Sequence, residues 1–409
     1  MNCRHCGTPL QHTFLDLGSA PPSNSYLTIE TFHEPEQWLP LHLLVCENCW
    51  LVQTDDFAKA DTFFNQDYAY FSSFSTTWLK HAEKYMHLVT DRFSLGKEST
   101  VIEIAANDGY LLQFFQKAAI PCVGIEPASG TAKAARKKGL TVIEEFFGES
   151  LARSLLQKGM AADLLIANNV LAHVPDINGF ISGFTTLLKP GGVATFEFPH
   201  LLSLVQENQF DTVYHEHYSY LSFTAVQKIF NNNGLHIFDV EKLSTHGGSL
   251  RIYSQHINTK THTTTKRIHT LLLEEKAAGI LKIAFYSNFQ NRAEQVKNNL
   301  LDFLLHAKNH NLTVAAYGAA AKGNTLLNFA GVRPDLLRFV VDKNPAKQGK
   351  FMPGSRIPIV DETHLQQKKP DRVLILPWNL QDEIKDQLQY IKAWGGQFVT
   401  AVPALELHQ

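Results

Sequence analysis

Between residues 67 and 260 the chain alternates short apolar runs with longer amphipathic stretches. The runs read VIEIAAN at 101–107, CVGIEP at 122–127, ADLLIANN at 162–169 and VATFEFP at 193–199. Near-continuous apolar runs of this length suit strands covered on both faces, and their alternation with helical stretches predicts β-α-β units in a mostly parallel sheet. A long stretch at 267–310 is charged and apolar by turns, in helical pattern, and stops near Asn309-His310-Asn311. A second set of strand-like runs follows: TVAAYGA at 313–319, RFVVDKN at 338–344, RVLILPW at 372–378 and QFVTAVP at 397–403. These predict another, smaller α/β domain. Residues 1–66 carry Pro21, Pro22, Pro35 and Pro40 and read as loop-rich. The expected division is therefore 1–66, 67–260 and 261–409, with a helical linker at about 267–310 inside the last segment.

Length agrees with more than one core, since 409 residues exceed what a single domain usually holds. The apolar share of 44% and charged share of 19% are ordinary for a globular chain. A formal net charge of −2 argues against nonspecific nucleic-acid binding. There is no run of about 18 apolar residues, so no membrane span is expected. MNCRHCGTPL does not resemble a secretory signal.

Of the five cysteines, four fall into the pairs Cys3-x-x-Cys6 and Cys46-x-x-Cys49. Each pair can present two thiolates from a tight turn, and four thiolates close a tetrahedral shell around zinc with no position left for chemistry. A structural zinc site is expected, holding together a segment too small to build its own core. His5 and His12 are expected to be bystanders. Cys122, in an apolar run, is expected in the core. An odd cysteine count argues against a disulfide framework and for a reducing cytoplasm.

The run VIEIAANDGYLL leads from a strand through Asn107-Asp108-Gly109 into a helix. In a parallel sheet such a turn lies at the carboxyl edge, where ligands bind. Gly109 is expected to let the backbone approach a ligand closely. A lone glycine is not GxGxxG, so a dinucleotide pyrophosphate is disfavoured. Glu126 ends the next strand, placed to accept ribose hydroxyls. At this point the chain resembles the class I methyltransferases that use S-adenosylmethionine. The matching stretches are Glu103 to Gly109, Glu126, Asp163 to His173, and Leu188-Lys189-Pro190-Gly191-Gly192. Ala105 and Asn107 stand where that class often has glycine. The resemblance implies a cofactor site formed by Glu103, Ala105, Asn107, Gly109 and Glu126, with Asn168 near the methionine part and Phe146, beside Phe147, near adenine.

Residues 210–222 read FDTVYHEHYSYLS. His-x-His first suggests a metal, but no third ligand lies at a helical spacing as in HExxH. Acid–base chemistry suits the run better, because a histidine titrates near neutrality and a neighbouring carboxylate can fix its tautomer. A polar, solvent-facing helix start is the plain alternative.

Here the likeness sharpens. The cysteine pairs with Gln53, Asp67 to Ser73 (DYAYFSS), Tyr214 to Ser222, His246 to Arg251 (HGGSLR), Tyr317 to Asn328 and Val341 to Ile359 recur together in one family. It is the zinc-containing NDP-sugar C-methyltransferases of deoxysugar biosynthesis, which include the C-3′-methyltransferases, and the resemblance covers essentially the whole chain. It implies an α/β protein with an N-terminal zinc-binding domain, a central Rossmann-like class I methyltransferase domain and a smaller C-terminal α/β Rossmann-like domain. It implies a nucleotide-linked keto-sugar as substrate and S-adenosylmethionine as methyl donor. His217 corresponds to the base, Tyr214 and Glu216 flank the sugar, and Tyr70 closes the site. The donor to the keto oxygen is Tyr214 or His173, with both left open. Should the product invert, His217 must lie across the sugar from the sulfonium. Lys322 and Asn324, in the small-residue turn AYGAAAKGN, are implied to hold the nucleotide diphosphate, and Arg251 and His246 could also meet the substrate. Two other readings compete. One is O- or N-methylation of a small metabolite, which needs no enolate-forming base. The other is a zinc-ribbon binding module on a decayed enzyme core, against which the near-neutral charge and the intact Glu126 both count.

Overall fold

The computed structural model describes residues 1–57 and 71–408. Tyr70 and most of the DYAYFSS stretch lie outside the described residues. The N-terminal segment is more regular than its prolines suggest. Its strands β1 (His12–Ala20), β2 (Leu39–Val45) and β3 (Val52–Thr54) form an antiparallel sheet. Alternation of buried and exposed positions along β2 gives that sheet one apolar face, a period-2 pattern hidden in the sequence by the flanking prolines.

The central sheet contains β4 (Val101–Ile104), β5 (Cys122–Ile125), β6 (Val142–Ile143), β7 (Ala162–Asn168) and β8 (Leu188–Pro199), all parallel. The order β6-β5-β4-β7-β8 reverses direction between β4 and β7, which creates a crevice at the carboxyl ends of those two strands. Two further strands extend it: β11 (Ser249–His256) runs antiparallel to β8, and β10 (Leu235–Leu243) runs antiparallel to β11 and so parallel to the rest. This order, with an antiparallel strand inserted beside β8, is the class I methyltransferase topology.

Residues 266–309 provide the expected helices, Lys266–Ala278 and Phe289–Asn309, with a short helix between them. The last sheet has the order β14-β13-β12-β15-β16-β17, from β12 (Val314–Tyr317), β13 (Val340–Val341), β14 (Ile359–Val360), β15 (Arg372–Ile375), β16 (Gln397–Thr400) and β17 (Glu406–His408). All but β17 run parallel.

The three segments are less separate than their boundaries in sequence suggest. The short strand β9 (Ser219–Tyr220), which directly follows the YHEHY run, pairs with β3 and completes the N-terminal sheet. One apolar core joins Phe14 and Leu43 of that sheet to Leu300 of the long helix and to Val314 and Leu374 of the last sheet. Cys3, Cys46 and Cys49 pack into the core of the central sheet, beside Phe180 and Phe196. Among the described residues no helix is long and apolar enough to cross a membrane.

Candidate active site

The four paired cysteines converge. Their sulfur atoms all lie within 4.8 Å of one another, with Cys3 to Cys49 and Cys6 to Cys46 both at 3.5 Å. Four thiolates about 2.3 Å from a tetrahedral zinc stand about 3.8 Å apart, so the donor set fits that ion. Gln53 Nε2 lies 3.2 Å from Cys3 Sγ, a contact of the kind that steadies a metal-bound thiolate. His5 bonds Asn178 Oδ1 at 2.8 Å and His12 faces Glu47, so neither turns to the sulfurs. Cys122 is only part-buried, rather than wholly in the core, and its thiol faces the Leu112 carbonyl.

At the crevice, the turn after β4 takes an uncommon backbone path. Ala105, Asn107 and Gly109 have φ of 58°, 49° and 76°. The left-handed region is costly for alanine by roughly 1–2 kcal/mol, which explains why glycine suits these positions and why asparagine, tolerant of that region, serves at 107. Gly109 has a packing reason as well. A Cβ there would stand 2.2 Å from Leu140 Cδ1 and 3.3 Å from Ala135 Cβ, so this glycine also makes room for the protein's own packing.

Glu126 Oε2 accepts the Asn107 N–H at 2.8 Å and Oε1 accepts the Ala128 N–H at 2.9 Å. Burial raises its pKa, and the two N–H groups pull against that shift. Each oxygen keeps a lone pair for a hydroxyl donor. Around it lie buried oxygens with no hydrogen-bond partner among the described residues: Asp108 Oδ1, Asn168 Oδ1 and Asn169 Oδ1. Glu103 is fully buried near the Tyr110 hydroxyl and the Glu126 and Asp108 carboxylates, and burial drives its pKa well up. A cluster of unmet acceptors suits a ligand that brings donors, as the ammonium and ribose hydroxyls of S-adenosylmethionine do. Phe146 is exposed, while Phe147 packs edge-on to Phe180 and Phe184 in the core.

The YHEHY run packs against this edge. His217 is 8% exposed, and its Nδ1 lies 3.2 Å from the Thr212 carbonyl oxygen. A carbonyl only accepts, so Nδ1 carries the proton and Nε2 the lone pair. Burial, then the neighbouring His173, push the His217 pKa well below the ordinary imidazole value. The ring centroids of Tyr214 and His173 stand 4.1 and 4.5 Å from that of His217. His215 turns the other way, to the Leu39 and Pro40 carbonyls.

His173 Nδ1 donates to the Glu216 carbonyl at 2.9 Å, and burial lowers its pKa to about 4. A neutral ring with its one N–H so engaged has no second N–H to offer. The Glu216 side chain accepts Asn24 Nδ2 at 2.6 Å, a contact from the N-terminal segment. Burial pushes its pKa up to about 7.

The other expected substrate residues divide. Lys322 Nζ donates to Asn379 Oδ1 at 2.8 Å and lies over the Trp378 ring at 4.4 Å, and burial brings its pKa down to about 8 despite Asp211. His246 lies edge-on to Trp78, its Nε2 without a partner among the described residues. Asn324 is fully buried, and among the described residues neither side-chain amide atom has a hydrogen-bond partner. Arg251 departs from expectation. Its guanidinium is committed inside the sheet, with Nε donating to Glu197 Oε1 at 2.8 Å and Nη1 to Glu241 Oε2 at 3.2 Å, over the Tyr85 ring. It therefore holds a buried carboxylate rather than a phosphate.

Sequence reasoning missed Glu197, Asp211, Asn24 and Trp378. Glu197 had a signal: it is the lone charge in an apolar strand, and such a charge needs a buried partner. Asp211 accepts the Trp378 indole N–H at 2.8 Å, and burial raises its pKa to about 6. The last sheet also repeats the Glu126 device. Asp342, just after β13, accepts the Ala319 and Asn344 N–H groups, both at 2.8 Å. There Lys347 Nζ and the Tyr26 hydroxyl donate to the Ala319 carbonyl at 2.8 and 2.7 Å and fill the position in front of the turn.

Strand order, the acid-clamped turn and the buried acceptors define a class I, S-adenosylmethionine-dependent methyltransferase carrying a four-cysteine zinc site. Three family models match in sequence: a putative zinc binding domain at 3–64, a methyltransferase domain at 78–240 and a C-methyltransferase C-terminal domain at 244–403. The chain is 32% identical over 401 residues to the C-methyltransferase NovU of Streptomyces niveus, covering 98% of this chain and 95% of that protein. It belongs to that C-methyltransferase family. Among solved structures, magnesium protoporphyrin IX methyltransferase from Synechocystis PCC 6803 with bound SAH aligns with 43% of this chain and 82% of its own, at 16% identity and a TM-score of 0.35.

Proposed function

We propose that this enzyme methylates carbon next to the ketone of a nucleotide-linked 4-keto-deoxysugar, with His217 as the base. The single observation that carries the reading is the tautomer of His217, whose Nδ1–H is held by the Thr212 carbonyl so that Nε2 is left as a proton acceptor. A methyl on sulfonium is electrophilic, but a C–H becomes nucleophilic only on losing its proton, which an adjacent ketone makes feasible. His217 takes that proton through Nε2. Its lowered pKa keeps it unprotonated at neutral pH, ready to accept. Tyr214, its ring tilted against that of His217, donates to the keto oxygen as charge gathers there. S-adenosylmethionine, when bound, supplies the methyl group. Glu126 orients the ribose, and Asn168 faces the methionine end. Lys322, from the C-terminal domain, supplies positive charge for the diphosphate.

Purified protein incubated with labelled S-adenosylmethionine and dTDP-, GDP- and CDP-4-keto-deoxysugars should give a product whose new methyl sits on ring carbon by NMR. A methyl found on oxygen or nitrogen, or no transfer to any of these ketones, overturns the assignment.

Glu216 allows a separate check. Its folded pKa of about 7 lies above the unfolded carboxyl value, so the protonated group favours the fold. That contribution is complete below the unfolded pKa and is lost as pH rises through 7. Glu216→Gln keeps an oxygen for Asn24 without the buried charge. Urea unfolding at pH 8 should find the variant more stable than the parent by about 1–3 kcal/mol, with the gap closing towards pH 5. A gap independent of pH would mean that Glu216 does not titrate on folding.

A further inference from the structure

The zinc knuckle touches both loops that carry the paired histidines, through one side chain. Arg4 lies between Cys3 and Cys6, and its side chain is only 6% exposed although it is charged. Nη1 donates to the Pro175 carbonyl at 2.9 Å, two residues beyond His173. Nη2 donates to the Thr54 carbonyl at 2.6 Å and to Asp56 Oδ1 at 2.9 Å. The guanidinium carbon lies 5.4 Å from the ring centroid of Tyr218, the residue after His217. Tyr218 is itself held on both sides: its carbonyl accepts the Thr54 N–H at 3.2 Å and its N–H donates to the Ala172 carbonyl at 2.8 Å. The backbone of Arg4 is fixed in turn, donating to Gln53 Oε1 at 2.8 Å.

We infer that Arg4 is a positioning residue for methyl transfer, setting the spacing between the His173 and His217 loops from inside the zinc knuckle. A planar guanidinium bonding two backbone carbonyls while lying against an aromatic ring fixes distance and orientation together, which a lysine ammonium cannot do from one point. The Pro175 carbonyl belongs to the His173 loop, whereas the Thr54 carbonyl ends β3, and the His217 loop is reached through the Tyr218 ring and the Thr54 N–H bond to the Tyr218 carbonyl. The two histidine rings are in edge contact at 4.5 Å. A shift of either loop therefore moves one ring against the other. The knuckle thus does more than stabilise its own segment. β3 begins three residues after Cys49, and β9, two residues after His217, is its partner.

The inference rests on His217 being the base, and its test separates the two. Arg4→Met keeps an apolar stem over Tyr218 but removes the hydrogen bonds, and Arg4→Lys keeps the charge. In the full-length, zinc-loaded protein both variants should retain one zinc per chain and wild-type affinity for S-adenosylmethionine. Amide hydrogen exchange at 172–176 and 216–220 should be about tenfold faster or more in Arg4→Met and intermediate in Arg4→Lys. With whichever keto-sugar nucleotide is turned over, kcat should fall about 10–100-fold with KM for S-adenosylmethionine unchanged. Unchanged exchange in both loops overturns the inference, as does loosened exchange with wild-type kcat. If Arg4→Met fails to fold or loses zinc, Arg4→Lys decides, and wild-type exchange and kcat in that variant count against it. Exchange needs no substrate, so its outcome stands even where the keto-sugar reading fails.

Discussion

His217→Asn is expected to lower kcat by about 10²–10⁴-fold, the range that a positioned general base contributes. Asparagine keeps an amide donor near the Thr212 carbonyl and roughly the same shape, so the loop should stay folded. What disappears is the Nε2 lone pair. Burial lowers the pKa of this ring, so the wild-type base is unprotonated at neutral pH and the acid limb of its activity should lie below the ordinary imidazole value. A sharper readout needs no methyl transfer. Wild-type enzyme given the keto-sugar nucleotide in D2O with S-adenosylhomocysteine should exchange the acidified C–H for deuterium, and His217→Asn should not. Calorimetry should find S-adenosylmethionine binding unchanged, because Glu126 and the turn after β4 do not depend on this ring. Near-normal turnover in the variant would sink the base assignment and favour a hydroxyl or amine acceptor.

The second large effect concerns zinc. Cys46→Ser should lower metal content well below one zinc per chain. Structural zinc contributes about 10–16 kcal/mol of apparent binding free energy in small zinc-finger peptides, so loss of one thiolate should lower the unfolding transition of the N-terminal sheet by roughly 10 °C or more. The damage should not stop there. Cys3, Cys46 and Cys49 are part of the central core, and β3 carries β9. The catalytic loop should loosen along with the knuckle, while the cofactor turn, built on β4 and β5, keeps its affinity. Elemental analysis, thermal unfolding and calorimetry together check this pattern. Full zinc content in Cys46→Ser would refute the ligand set. Loss of S-adenosylmethionine affinity equal to the loss of stability would refute the separation of knuckle from cofactor turn.

The repeated acid device has a physical lesson. Glu126 and Asp342 each clamp a strand-to-helix turn by accepting two backbone N–H groups. Before the first lie unmet oxygens; before the second stand Lys347 and Tyr26. One backbone solution therefore presents a ligand site in the central domain and a filled interdomain joint in the last.

The sequence by itself determined whatever depends on local pattern. Apolar runs placed β4, β5, β7, β8 and the main strands of the last sheet, because strands buried on both faces must be apolar throughout. Two CxxC pairs announced the metal site, because thiolate spacing in a tight turn is a local property. The lone charge at Glu197 was equally legible, though its partner was not. Only the tertiary structure decided which groups meet across distance. It gave Arg251 to Glu197, turned His215 towards β2 and His217 towards the Thr212 carbonyl, and lent β9 to the N-terminal sheet. It also showed that Gly109 is required by Leu140, whose side chain a Cβ would meet. Spacing along a chain fixes which face a side chain takes within its own element, whereas a buried charge or imidazole is settled by whatever partner packing brings within hydrogen-bond reach.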